Sequence, residues 1–304
     1  MLDVARTESM NEVVITGKLN ELNITEGTTK AGKPWVYGSA EVICDQVVCG
    51  EPVETRVEVR FSCNRYKKNP DNPSKNGEPL KLYDTIVGYK DKFTSIAAAE
   101  NPEQVSEVTI NGARLEENLW VDASGIEHTG WIVRGSWMKK KLPEEKEGAT
   151  FKVSAYIFKI DDEMDKNGEP TGRIKLTVGV VGYGGKIHRL EMFASGAYKA
   201  HIEQNWNPKE TVNITGRINM IRKVETYTED TGFGEPIEKT RSVFKKELII
   251  TGGSPYGLAE DASYDEDSVR KACAERANRI EEMKVESKKK AAKPKTSTAS
   301  DYGF

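Results

Sequence analysis

Apolar and polar residues alternate with a period of two along most of the chain up to Gly253, the pattern of strands that bury one face. In "TKAGKPWVYGSAEV" (29–42), Val36, Gly38, Ala40 and Val42 form the inward set, so Trp35, Tyr37 and Ser39 face out. In the next strand Val57, Val59, Phe61 and Cys63 point in, leaving Arg56, Arg60 and Tyr66 outside. In "FKVSAYIF" (151–158), Phe151, Val153, Ala155 and Ile157 are core, which puts Tyr156 and Phe158 outside beside Lys152. Trp131 and Trp137 share the parity of Val133, as core residues would. Past Gly253 the spacing changes. Val269, Cys273, Ala277 and Ile280 recur at three to four residues in 267–284, which predicts an amphipathic helix capped at Asp267 or Ser268. From Ser287 onward Lys, Ala, Ser and Thr dominate, and the segment buries too little surface to fold.

The strand pattern occurs twice. "TKAGKPWVYGSAEV" (29–42) matches "DKNGEPTGRIKLTV" (165–178), and "VTINGARL" (108–115) matches "VNITGRIN" (212–219), with Gly112 and Gly216 in register. "VVITGKL" (13–19) and "FKVSAYIF" (151–158) open the copies; "GWIVRGSWM" (130–138) and "KELIITG" (246–252) close them. A short helical piece lies between the paired regions of each, at 93–100 and 196–204. The insert at 67–79, with Asn-Pro breakers and an Asn-Gly pair, reads as an exposed loop. Strand, turn, strand, strand, helix, strand, strand is the order of a five-stranded Greek-key barrel, the OB-fold. The expectation is an all-β protein of two tandem five-stranded OB-fold barrels, over 10–141 and 148–253. An acidic segment, a short helix and a disordered tail follow over 254–304. The charged joint 140–148 is short enough to restrict how the barrels sit.

A chain of 304 residues suits this plan. With 31% charged residues, no long apolar run and no secretory pattern in "MLDVARTESM", it reads as soluble and cytoplasmic. Cys44, Cys49, Cys63 and Cys273 form no CxxC pair, which suits thiols in a reducing compartment; a Cys44–Cys49 disulfide is the alternative. The net charge of −3 hides local clusters: acids at 143–147 and 260–267, bases at 65–68, 138–141, 222–223 and 245–246. A polyanion responds to such local fields rather than to the total. Catalysis has little to stand on. The three histidines, His128, His188 and His201, are too scattered for a metal pair, and no nucleophile–base grouping or cofactor motif stands out. "DDEMDKNG" (161–168) mimics a calcium loop but has Ile174 where the bidentate acid belongs. "VGYGGK" (181–186) lies between strands, a hairpin rather than a phosphate loop.

The outer faces mix aromatics with cations. Trp35, Tyr37, Tyr66, Tyr156 and Phe158 stand among Arg56, Arg60, Lys67, Lys68, Arg173, Lys175, Arg189 and Arg217. Unpaired bases stack on aromatic rings without regard to sequence, while Lys and Arg follow the phosphates. The competing use of the same rings is packing at a barrel rim or between the copies. A protein-interaction module and single-stranded RNA binding remain open as alternatives to DNA.

"VTINGARLEENLWVDASGIEHTGWIV" (108–133) and "NEVVITGKL" (11–19) resemble the hairpin and opening strand of bacterial and phage single-stranded-DNA-binding proteins. That resemblance implies sequence-independent binding and protection of single-stranded DNA in replication, recombination and repair, with no enzymatic activity. Trp120 matches the family's base-stacking Trp, although Glu116 and Glu117 stand where the family usually carries Arg or Lys. Two barrels in one chain would suit a phage-type version working as a monomer or dimer. The end of the chain, "SDYGF", resembles the family's tip: Asp301, Tyr302, Phe304 and the terminal carboxylate would dock replication or recombination proteins. It carries one acid rather than several, and Gly303 where Pro is usual.

Overall fold

The computed structural model describes residues 10–29, 32–48, 50–68, 76–229 and 237–291. The first half runs β1 (Asn11–Thr28), β2 (Pro34–Val48), β3 (Glu51–Asn64), β4 (Tyr66–Lys68), β5 (Asn76–Pro79), α1 (Lys81–Val87), α2 (Tyr89–Lys92), β6 (Glu107–Val121), β7 (Glu127–Arg134) and β8 (Trp137–Lys140). The second runs β9 (Gly148–Met164), β10 (Pro170–Val181), β11 (Ile187–Ala194), α3 (Gly196–Asn205), β12 (Thr211–Glu229) and β13 (Ile237–Gly253), and α4 (Glu266–Ala291) ends it.

Each half closes on itself with one topology. In the first, β1 pairs β2, β2 pairs β3, β3 runs parallel to β7, β7 pairs β6, and β6 returns to β1. In the second, β9, β10, β11, β13 and β12 repeat that circuit, with the one parallel contact at Phe193 and Ile249. These are two tandem OB-fold barrels in an all-β chain. Their interiors are filled by the alternate positions the sequence assigns, including Val36, Ala40, Val42, Val57, Val59 and Phe61 in one and Phe151, Val153, Ala155 and Ile157 in the other. Gly38 lets two backbones meet: a Cβ there would lie 1.9 Å from the Asn23 carbonyl oxygen. Gly112 sits at a register shift of β6 with φ +64, and Gly216 leaves room for the Phe151 ring at a shift of β12.

The halves share one sheet. β1 and β9, the opening strands, pair antiparallel from Asn11↔Val153 to Thr16↔Gly148. Gln46, at the far end of β2, crosses to the second barrel: its amide donates to the Ile218 carbonyl (2.7 Å) and its oxygen accepts the Ala149 N–H (3.1 Å). The joint is pinned as well. Glu145 accepts from the Leu142 N–H and the Thr109 hydroxyl and pairs with Lys139 at 2.6 Å, which together pull its carboxyl down to about 2.

Several expectations change. The first barrel's helix lies at 81–92 rather than 93–100, because Tyr83, Ile86 and Tyr89 are the buried stripe at helical spacing. Residues 93–100 form a turn that buries only Phe93 and Ser95. The closing strand of that barrel is two strands, β7 and β8, broken at Gly135, where a Cβ would meet Val59 at 2.5 Å. Trp131 is core, but Trp137 is exposed on β8. The insert carries a ribbon of β4 and β5. Helix α4 starts from Asp265, whose carboxylate accepts the Ser268 N–H, and it extends to Ala291. Residues 165–169 and 182–186 are strand connections, as their composition suggested. Cys44 is buried, and burial first pushes its thiol up to about 12; Cys49 lies outside the described residues.

Candidate nucleic-acid interface

The outer face of the first barrel is built from β2, β3, β7 and β6. Register puts Tyr37 opposite Ser62 and Ser39 opposite Arg60; Arg60 lies beside Arg134, and Arg134 opposite Arg114. Three arginines therefore line up across three strands, all with outward parity. Arg60 pairs with Glu58 (2.8 Å) and Arg134 with Glu116 (2.7 Å), while no acid among the described residues pairs with Arg114. The Arg60–Glu58 pair is open to water, where an exposed salt bridge contributes at most about 1 kcal/mol and yields readily to a phosphate, while Glu116 is half-buried beneath Arg134.

Two ring stacks flank the row. Trp35 and Tyr37 lie 4.7 Å apart at 28°, with Tyr37 42% exposed. They are two residues apart on β2, so the pleat aims both rings outward, and Gly27 makes the room: a Cβ there would stand 3.2 Å from the Trp35 indole nitrogen. On the β6–β7 hairpin Trp120 stacks on His128 at 5.1 Å and 14°, and Trp120 is 46% exposed. Asp122 holds that pair in place. Its carboxylate contacts His128 Nε2 at 2.9 Å and accepts the Ser124 and Ile126 N–H groups, which keeps its carboxyl below the usual range, His128 first among the causes.

The remaining candidates divide. Arg56 pairs with Glu54 at the far end of the same face. Tyr66 is half-buried on β4 beside Arg65, whose guanidinium lies 5.9 Å from its ring; Lys67 pairs with Glu78, and of Lys68 only the backbone is described. In the second barrel the outward assignment of Tyr156 and Phe158 is corrected. Tyr156 is 4% exposed, packed with Ile187 under Val269 and Ala272 of α4, and Phe158 packs against the same cluster. The two-residue period assigned their parity correctly, but a helix more than 100 residues later covers that face. Arg173 is held by Glu163 (2.5 Å) and Glu247 (2.7 Å) and lies 4.8 Å over Phe193. Lys175 pairs with Glu191, Arg189 lies over Phe158, and Arg217 reaches Gln46 across the junction. Arg173, Lys175 and Arg189 thus answer the second barrel's own acids and rings, while Arg217 turns to the first barrel; among the described residues the open stacks beside cations lie on the first barrel. Asp301, Tyr302 and Phe304 lie outside the described residues.

Sequence reasoning missed Arg114, Arg134 and His128. The alternation of β6 and β7 carries them: Ala113, Leu115 and Val133 are buried, so their neighbours face out. Among the described residues no cluster of His, Cys, Asp or Glu could hold a metal ion, and no described helix is long and apolar enough to cross a membrane.

Comparisons with known proteins extend this picture. No curated protein matches the chain. Among solved structures, the wild-type single-stranded DNA binding protein from Thermus aquaticus is similar at 12% identity and a TM-score of 0.48, covering 83% of this chain and 96% of that one. A deletion mutant of the same protein gives 12% and 0.49 over the same shares. The small single-stranded DNA-binding protein from Streptomyces coelicolor gives 10% identity and 0.27, over 45% of this chain and all of its own. A family model described as YorF matches residues 9–286, which takes in both barrels and nearly all of α4, and the chain belongs to that family.

Proposed function

We propose that this protein binds single-stranded DNA without reading its sequence, on the outer face of the first barrel. The observation that carries the reading is the pair of open ring stacks, Trp35–Tyr37 and Trp120–His128, flanking the Arg60–Arg134–Arg114 row on one face. Unstacked bases gain about 1–3 kcal/mol each on such rings, and phosphates follow the cations. A duplex hides its base faces, so the arrangement favours single strands. Stacking on rings and contacts to phosphates read no base edge, so the binding follows as tolerant of sequence. Coating of single strands in replication, recombination or repair is the use this chemistry suits.

The test is a titration of the full chain with oligo-dT followed by tryptophan fluorescence, with a matched RNA oligomer as competitor. Quenching that RNA fails to reverse supports the DNA reading; stronger competition by RNA moves the assignment to RNA. The chain end belongs to the same proposal. Asp301, Tyr302 and Phe304 would recruit partner proteins. Removing 301–304 is expected to leave oligo-dT affinity intact while abolishing capture of a replication or recombination protein. Undiminished capture would reject that role.

A further inference from the structure

Helix α4 is bonded along the hairpin that carries Trp120. Near the hairpin root, Arg276 clasps Glu117 with contacts of 2.5, 2.9 and 3.1 Å, and both side chains are buried, at 13% and 4% exposed. Glu127, on the opposite strand, stands 3.5 Å from the same guanidinium. Near the hairpin tip, the Ser287 hydroxyl donates to the Asp122 carbonyl at 2.5 Å.

The spacing of these contacts fits a helix lying along the strand. Eleven residues of helix separate Arg276 from Ser287, about 16 Å at the helical rise. Five residues of strand separate Glu117 from Asp122, about 17 Å. The far end of the helix is fixed to the second barrel, where Val269 and Ala272 pack on Tyr156 and Ile187. On the second barrel's side, His188 Nδ1 accepts the Glu117 N–H at 3.1 Å. A lone two-stranded hairpin is marginally stable in water, so these bonds decide whether this one holds its shape.

From Asp122 the connection reaches the rings directly. Its backbone takes the Ser287 bond and its carboxylate holds His128, on which Trp120 stacks. We propose that α4 is a brace that presets the Trp120–His128 platform, with Arg276 as a positioning residue. DNA affinity would then depend on a side chain that touches no DNA. The inference rests on the proposed DNA reading for its effect on affinity, but not for its effect on the platform.

The test uses the full chain with Arg276→Ala, in the natural and the Trp120→Ala backgrounds. In the natural background oligo-dT affinity should fall about tenfold, the loss of one stacked base, with the slope against salt unchanged because phosphate contacts persist. In the Trp120→Ala background the same substitution should add nothing. Arg276→Lys should restore part of the loss. In the protein without DNA, the His128 ring resonances, shifted by the Trp120 ring current, should move toward free-histidine positions. Equal losses in both backgrounds, or unmoved His128 resonances, would overturn the brace. If oligo-dT does not bind the natural chain, the DNA reading fails and the resonances alone decide this one. Should Arg276→Ala not fold, Ser287→Ala carries the same readouts from the other contact.

Discussion

Glu117 and Trp120 stand three residues apart on β6 and were unequally legible in the sequence. Trp120 was singled out by the resemblance of "VTINGARLEENLWVDASGIEHTGWIV" (108–133) to a known hairpin, a signal local in sequence. Glu117 could not be. Its partner Arg276 lies 159 residues on, and nothing local distinguishes a clasped acid from a solvated one. Arg173 repeats the lesson in the opposite direction, because a cation with outward parity turned out to be held by Glu163 and Glu247. Those acids draw its guanidinium further into the charged state, Glu163 first. Arg173→Ala should therefore act on stability and leave oligo-dT affinity alone. Removing one partner of a largely buried pair costs about 3 kcal/mol, readable as a lower urea midpoint. A loss of DNA affinity with an unchanged midpoint would return Arg173 to the interface.

At the scale of elements, strands were more legible than helices. A strand's two-residue period is visible in any short window, and both barrels follow from it. The helix at 81–92 was hidden by aromatic residues with weak helix propensity, Tyr83 and Tyr89, whose burial under the barrel overrides that preference. Helix α4 was visible as a stripe, but a stripe does not name what it covers, and it covers Tyr156. The junction of α4, hairpin and second barrel should also sense pH through His188. Burial is the main cause that lowers its pKa, aided by Arg279 and Lys186 against the opposing carboxylates of Glu116 and Glu117. The folded chain thus holds a neutral imidazole while the unfolded chain protonates near 6.5. Its contribution is present above that pH and is lost as pH falls through the lowered folded value. The stability difference between the natural chain and His188→Gln should shift across that window. A difference constant from pH 7.5 to 5 would remove His188 from this role.

At the scale of the whole molecule, two copies of one barrel have taken different parts. The first keeps its rings open beside arginines, while in the second Arg173 and Lys175 answer acids and Tyr156 lies beneath α4. The β1–β9 pairing and the Gln46 bonds make the halves one continuous sheet, so urea should unfold them in a single transition. Two separated steps in fluorescence and circular dichroism would show that the junction adds little. Duplication was legible as a repeat, but the division of labour was not, because it depends on contacts between copies. The most direct test of the central claim is oligo-dT binding by the natural chain, Trp35→Ala and Trp120→Ala over a range of salt. The account predicts quenching that saturates, affinity that falls steadily as salt rises, and a loss of about 5- to 150-fold for each substitution, the range expected for one stacked base. Affinity indifferent to salt, or unchanged by both substitutions, would contradict it.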